Sequence, residues 1–259
     1  MLRTLVGLVL LAGASAGGLV LRDWALVTPQ FALQSVNFRG LSRATDAELM
    51  RLSGFSSGQN LWKLDPELMA RGMASHPWVR HVEVTRRFPR SVRVAVEEHS
   101  PEAMAVLSDL YLVNAHGEPF KKVGPEDALD LPLFTGISRD TYMKNPEAGA
   151  TRFRDALDVA HTYETSPAAK GAGLSEVHLE SDGVSLITGA GQEVRLGIGA
   201  LPEKLQRLVR VREELARRNV VATTVRLDDR SRPGWVTVAL GRSAVEKSQI
   251  SKNAQAHAP

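Results

Sequence analysis

Polar and apolar positions follow three patterns along the chain. The first is an uninterrupted apolar run, Thr4 to Leu21, flanked by Arg3 on one side and by Arg22, Asp23 and Trp24 on the other. At about 1.5 Å per residue such a helix covers about 27 Å, close to the roughly 30 Å hydrocarbon core of a bilayer, with Arg22 and Trp24 placed to meet the interface. Thr4, Leu5, Leu8, Leu11, Leu19 and Leu21 are its expected membrane-embedded residues. The same run fits a cleaved signal peptide, because Ala14-Ser15-Ala16 has the small-x-small cleavage pattern. Both readings put the remainder outside the cytoplasm.

The second pattern is a dense strand and helix alternation from Ser35 to Ala105. Val36 and Phe38 alternate in a short strand that stops at Gly40. Thr45 and Glu48 form a capping box, so a helix starts there, runs to Ser53 and stops at Gly54. Asp65 caps a second helix with Pro66 at its first position, ending before Pro77. Val82 and Val84 alternate up to Arg86, Phe88-Pro89-Arg90 turns the chain, and Val92, Val94 and Val96 alternate back. Two helices with apolar stripes and one half-buried sheet make a small α+β module.

The third pattern is longer-range. Leu110 to Val113 reads as a strand, Asn114 to Gly117 as a turn and Phe120 as the return. Asn145 and Pro146 open a helix to about Glu164, with Phe153, Leu157, Ala160 and His161 at helical spacing. Strands are expected over Leu174 to Glu180, Val184 to Thr188 after an Asp182-Gly183 turn, and Glu193 to Leu196. Pro202 opens a helix to Asn219 with Leu205, Leu208, Val209, Leu215 and Ala216 inward. Strands Thr224 to Leu227 and Trp235 to Leu240 close the domain. Gly241 to Pro259 is polar and aperiodic, an expected disordered tail.

Composition narrows the chemistry. With 259 residues, 43% of them hydrophobic, the chain can bury a real core. Its 32 cations and 29 anions are interspersed, so a nucleic-acid partner is not demanded, and with no cysteine there are no disulfides or thiolate sites. The seven histidines lack metal-ligand spacing. Glu97 and Glu98 are adjacent on a strand and face opposite ways, which does not suit paired-carboxylate catalysis. Gly13-Ala14-Ser15-Ala16-Gly17 matches both a nucleophile elbow and G-x-x-x-G as text, but an elbow needs a strand before it and a helix after it. Lys204, Arg207, Arg210, Arg217 and Arg218, interleaved with Glu203, Glu213 and Glu214, read as a solvated helix face. No catalytic residue, metal, cofactor or small-molecule substrate is expected.

Val36-Asn37-Phe38-Arg39-Gly40, Gln59 to Asp65, His76-Pro77-Trp78-Val79, Arg86-Arg87-Phe88-Pro89 and Val94 to Ala103 together resemble the POTRA domain of the FtsQ/DivIB cell-division proteins. Leu131-Pro132-Leu133-Phe134-Thr135-Gly136 resembles the family's link into its second, β domain. The family's terminal motif is imperfect here, since Asp228, Arg230 and Gly234 match while Asp229 and Ser231 replace an apolar and an aromatic position.

The resemblance implies an α+β protein with a single transmembrane helix within residues 1–24, a POTRA domain over 31–103, a β domain over 104–240 and a tail over 241–259. It also implies a non-enzymatic, single-pass protein of the cell inner membrane, with a cytoplasmic N-terminus and periplasmic domains, acting as a scaffold of the division machinery at the septum. FtsB- and FtsL-like division proteins are its implied partners. The implied docking edge is Trp235, Val236, Thr237, Val238, Ala239 and Leu240, with Arg226, Asp228 and Arg230 beside it. On the bland reading, Val236, Val238 and Leu240 fill the core and Trp235 staples the loop. Two other classes remain: a POTRA-containing module of a secretion or outer-membrane assembly system, although no barrel fits after the module, and a secreted envelope-associated binding protein.

Overall fold

The computed structural model describes residues 2–229, 231–232 and 234–241. The chain divides into two compact units, the first ending at His99 and the second beginning at Ser100. Apart from Gly241, the expected tail lies outside the described residues.

In the first unit the apolar run forms helix α1 (Leu2–Val27), and its stretch Val6–Val27 is long and apolar enough to cross a membrane. Gly13 to Gly17 sit in mid-helix, where the Ser15 hydroxyl donates back to the Leu11 carbonyl at 2.8 Å. That places no nucleophile elbow there. Strand β1 (Ser35–Arg39), helices α2 (Asp46–Ser53) and α3 (Pro66–Met73), and strands β2 (Val79–Arg87) and β3 (Ser91–Glu98) follow. The sheet order is β1-β3-β2, with β1 parallel and β2 antiparallel to the central β3.

Local chemistry explains these boundaries. Thr45 and Glu48 exchange the two hydrogen bonds of a capping box, and the Asp65 carboxylate accepts from the Glu67 and Leu68 amides. Gly40, at φ +84°, lies so close to β3 that a Cβ there would stand 2.1 Å from the Val96 carbonyl oxygen. Glu98 accepts from the amides of Ser42, Arg43 and Ala44 at 3.0, 2.8 and 2.9 Å, fixing the loop that follows β1. Leu49, Leu61, Leu64, Met73, Val92 and Val94 are fully buried between helices and sheet, each worth roughly 1.5–3 kcal/mol of transfer free energy.

The second unit is one nine-stranded sheet with helices on one face. Its elements are β4 (Pro101–Leu107), β5 (Asp109–Asn114), β6 (Pro119–Lys122), β7 (Leu133–Thr135), α4 (Arg139–Lys144), α5 (Pro146–Thr165), β8 (Leu174–Glu180), β9 (Gly183–Thr188), β10 (Glu193–Gly197), α6 (Leu201–Arg217), β11 (Ala222–Arg226) and β12 (Thr237–Leu240). The spatial order is β12-β11-β10-β9-β8-β7-β4-β5-β6. Hairpins supply the antiparallel pairs, while β7 runs parallel to both β4 and β8, and β10 parallel to β11 after the α6 crossover. Phe153, Ala156, Ala160 and Tyr163 of α5 and Leu205 and Leu208 of α6 pack on Val177, Leu186, Val194 and Val225 of the sheet.

Several details differ from the sequence reading. Residues 101–103, placed with the first module by pattern, lie on β4 of the second sheet. The three-residue strand β7 and the one-turn-and-a-half helix α4 are additional, being too short to show a period. β7 explains the Leu131 to Gly136 motif: Gly136, at φ +91°, has its Cβ position 2.1 Å from the Leu179 carbonyl oxygen of β8.

The inward stripe of α5 is Phe153, Ala156, Ala160 and Tyr163, leaving His161 exposed, and Ala216 is likewise exposed on α6. Lys204 is not part of a solvated face. Its buried ammonium donates to the Leu196 and Ile198 carbonyls at the end of β10, which satisfies both its charge and those acceptors.

Candidate protein-binding edge

Among the described residues β12 is the last strand on its side of the sheet, paired to β11 from Thr237 opposite Arg226 to Leu240 opposite Ala222. Pairing starts at Thr237, two residues later than the sequence pattern implied, so Trp235 and Val236 lead into the strand. Val236 and Val238 are half-buried against the core, whereas Trp235 is 62% and Leu240 63% exposed. The two valines therefore serve packing, and the tryptophan and leucine are turned to solvent. Thr237 and Ala239 face the opposite, uncovered side.

The ladder dictates which backbone groups are left over. The Gly241 amide donates to the Val221 carbonyl at 2.8 Å, and on β11 the Leu227 amide donates across to the Arg195 carbonyl of β10 at 2.8 Å. Because amide and carbonyl directions alternate along a strand, Thr237 and Ala239 point theirs toward β11, and Val238 and Leu240 point theirs outward.

A polar hinge leads into this edge. Arg226 donates to Asp228 through Nε and Nη2 at 3.3 and 3.4 Å. Burial pushes the Asp228 carboxyl up, but the hydrogen bond and charge of Arg226, with Arg195 nearby, outweigh it and hold the group below its ordinary value. Both residues belong to the same structural clasp, leaving Arg226 half-exposed. The Asp229 carboxylate accepts from the Ser231 and Arg232 amides at 2.9 and 3.1 Å.

The Arg232 guanidinium sits 4.8 Å from the Trp235 ring centroid, and its carbonyl accepts from the Trp235 amide at 3.0 Å. Arg230 lies outside the described residues. From sequence, Asp229 stood out only as a departure from the family motif, and Arg232 did not stand out. An Asp followed two and three residues on by turn residues was the available signal for the first.

Behind the edge, the uncovered sheet face carries a polar ladder. Glu180 accepts from Ser185 at 2.7 Å and from Arg195 at 2.9 Å, and the Ser185 bond, with Arg195, keeps its carboxyl below the usual value against burial. Thr224 donates to Glu193 at 3.3 Å. At the other end of the sheet, β6 offers Pro119, Lys121 and Lys122. The Lys121 ammonium bridges the nearly fully buried Asp127 and, at 3.1 Å, Glu126. Thr4, Leu8, Leu11, Leu19 and Leu21 all lie exposed on α1, on which Leu5 also falls.

Known proteins resemble this chain in sequence. Residues 31–99 match the POTRA domain, FtsQ-type, and residues 105–230 match Cell division protein FtsQ/DivIB, C-terminal. The cell division protein FtsQ of Myxococcus fulvus is 51% identical over 235 residues, covering 91% of this chain and 83% of that relative. The corresponding proteins of an Anaeromyxobacter strain and a Geobacter strain are 37% and 30% identical, covering 88% and 81% of this chain and 79% and 77% of their own lengths. With both units matched in order and relatives aligned over most of their length, the chain belongs to the FtsQ family of cell division proteins.

Proposed function

We propose that this chain is a single-pass inner-membrane scaffold of the division machinery, with α1 in the bilayer, its N-terminus cytoplasmic and both folded units periplasmic at the septum. Its work is docking: a segment of an FtsB-like partner, accompanied by an FtsL-like protein, adds as a further strand to β12. No bond-making step, nucleic acid or small-molecule substrate enters this reading.

The observation that carries it is the uncharged edge Thr237-Val238-Ala239-Leu240, whose outward amides and carbonyls at Val238 and Leu240 match what an incoming strand needs. Exposed Trp235 and Leu240 would supply the side-chain contacts. Arg226 and Asp228, beside β12, would read the partner's polar positions. Membership of the family supports the role in division, and the apolar helix α1 supports the anchor.

Leu240→Pro tests the site. Proline is tolerated on an edge strand where the amide faces outward, so the β11 ladder survives while the incoming strand loses a donor and meets the ring. Co-purification of the FtsB-like partner with the full chain is expected to fall by roughly tenfold or more, the equivalent of about 1.4 kcal/mol, with the melting temperature unchanged. Undiminished capture by the folded variant would sink the assignment.

A further inference from the structure

A cluster of aromatic side chains gathers where α1 meets the rest of the first unit. The Phe31 ring stands edge-on to Trp24, Trp62 and Phe88, with centroids 6.2, 6.0 and 6.0 Å away, and Trp62 and Phe88 lie 4.8 Å apart. Three of the four are about half exposed, Trp24 at 51%, Trp62 at 49% and Phe88 at 49%. They come from four separate places: the helix end, the segment after it, the link between α2 and α3, and the β2–β3 turn.

Hydrogen bonds to backbone carbonyls fix them together. The Asn60 side-chain amide donates to the Ala25 carbonyl at 2.9 Å, the Leu61 amide to Phe31 at 2.8 Å, and Arg90 Nε to Gln30 at 3.2 Å. The end of the apolar helix is thus pinned to the folded module rather than trailing from it.

Water is a poor environment for such a face, and its position names a better one. Trp24 lies 18 residues beyond Val6, about 27 Å along the helix, where the apolar core of a bilayer gives way to headgroups. Indole and phenyl rings settle at that depth. Trp62 and Phe88, in contact with each other and with Phe31, share it. Arg22 lines the cleft between helix and Trp62, and Lys63, Arg87 and Arg90 neighbour the two rings in sequence; Asp23 is the acid on the helix turn, and Asp65 is engaged at the start of α3. The surplus of cations suits anionic lipid headgroups.

We propose that the Trp62 and Phe88 face of the first unit sits in the headgroup layer of the same bilayer that α1 spans, so that the module lies on the membrane surface with a fixed tilt. This rests on the reading of α1 as a membrane span. Since β1 runs parallel to β3, Ser35 beside Ser91 and Arg39 beside Ala95, the Ser42 loop is held at the far end of the sheet, about 20 Å from the Phe88 turn at strand rise.

The chain has no cysteine, so single labels are clean. The full chain, reconstituted in nanodiscs of phosphatidylethanolamine and phosphatidylglycerol, is labelled with an environment-sensitive fluorophore in Leu11→Cys, Phe88→Cys and Ser42→Cys variants. Arg87→Cys, which keeps Phe88, is labelled in parallel. Nitroxide lipids then quench from the headgroup or from the deep acyl region. The expected result is blue-shifted emission at 88 and 87 with strong loss to the headgroup quencher and little to the deep one, deep quenching at 11, and none at 42. Labels at 88 and 87 as unquenched as that at 42, with 11 still deeply quenched, would overturn the surface contact while leaving the span intact, even if that face then proved to bind a protein. An unquenched label at 11 would overturn the span and the inference with it.

Discussion

The two ends of the nine-stranded sheet carry opposite side chains for the same backbone problem, an unpaired row of amides and carbonyls. At β6 the sequence is Pro119-Phe120-Lys121-Lys122, with a residue that has no amide proton and two cations, one tied to a buried carboxylate and the other to Asp109 at 2.9 Å. At β12 it is Thr237-Val238-Ala239-Leu240, with neither proline nor charge. Proline and lysine are the usual ways a sheet end is blunted against unwanted pairing, so their presence at one end and absence at the other separates an end that is closed from one left open. In β6 the charges also hold the local fold, whereas in β12 the outward groups hold nothing within the described residues.

Lys121→Met should produce the largest change. It takes the ammonium away from the buried Asp127 carboxylate, whose bond from the Gly124 amide at 2.9 Å does not neutralise the charge, and a loss of about 3 kcal/mol in urea unfolding is expected, with partner capture unchanged under folding conditions. If stability barely moves, the charges of β6 are ornament and the contrast fails on that side.

Leu240→Lys copies the chemistry of β6 onto β12. It should weaken partner binding by several-fold, about 1 kcal/mol, and leave unfolding within about 0.5 kcal/mol of the parent, because Leu240 is already exposed. Equal losses of binding and stability would mean that Leu240 supports the sheet rather than the partner.

The smallest effect is an acid one. The Glu180 carboxyl is held below its ordinary value chiefly by Ser185, together with Arg195, so its contribution is complete above the usual carboxylate range and fades as pH falls through the lowered folded value. Glu180→Gln should flatten the acid limb of the second unit's stability profile and leave neutral-pH stability within about 1 kcal/mol. An unchanged acid limb would remove Glu180 from the polar ladder behind β12.

Much of this could be read from residue order. The capping box at Thr45, the Asp65 cap with Pro66, the Gly40 stop and the Phe88-Pro89 turn are each set by neighbours within a few residues, so the first unit was legible almost element by element. The hairpin β8–β9 and the crossover helix α6 were legible for the same reason. Strand β7 was not, because three residues show no alternation and its place between β4 and β8 depends on partners 29 and 43 residues away. Lys204 was misread as solvated because charge periodicity gives the helix face but not the two carbonyls of β10 waiting beneath it. Of the proposed docking edge, the resemblance in sequence pointed to the residues from Trp235 to Leu240 and the neighbours Arg226, Asp228 and Arg230, the last of which lies outside the described residues.

What the chain alone determined is therefore its local punctuation, its apolar first helix and its kinship, since caps, turns and alternation act over a few residues. The tertiary structure decided that β12 is the last strand on its side of the sheet among the described residues, that Val238 and Leu240 aim their amides away from it while Trp235 stands in solvent, and that four aromatic rings from separate elements meet at the end of α1. Those outcomes depend on which strands and loops become neighbours, and pairing between distant segments is settled by the packing of the whole core rather than by any short stretch of sequence.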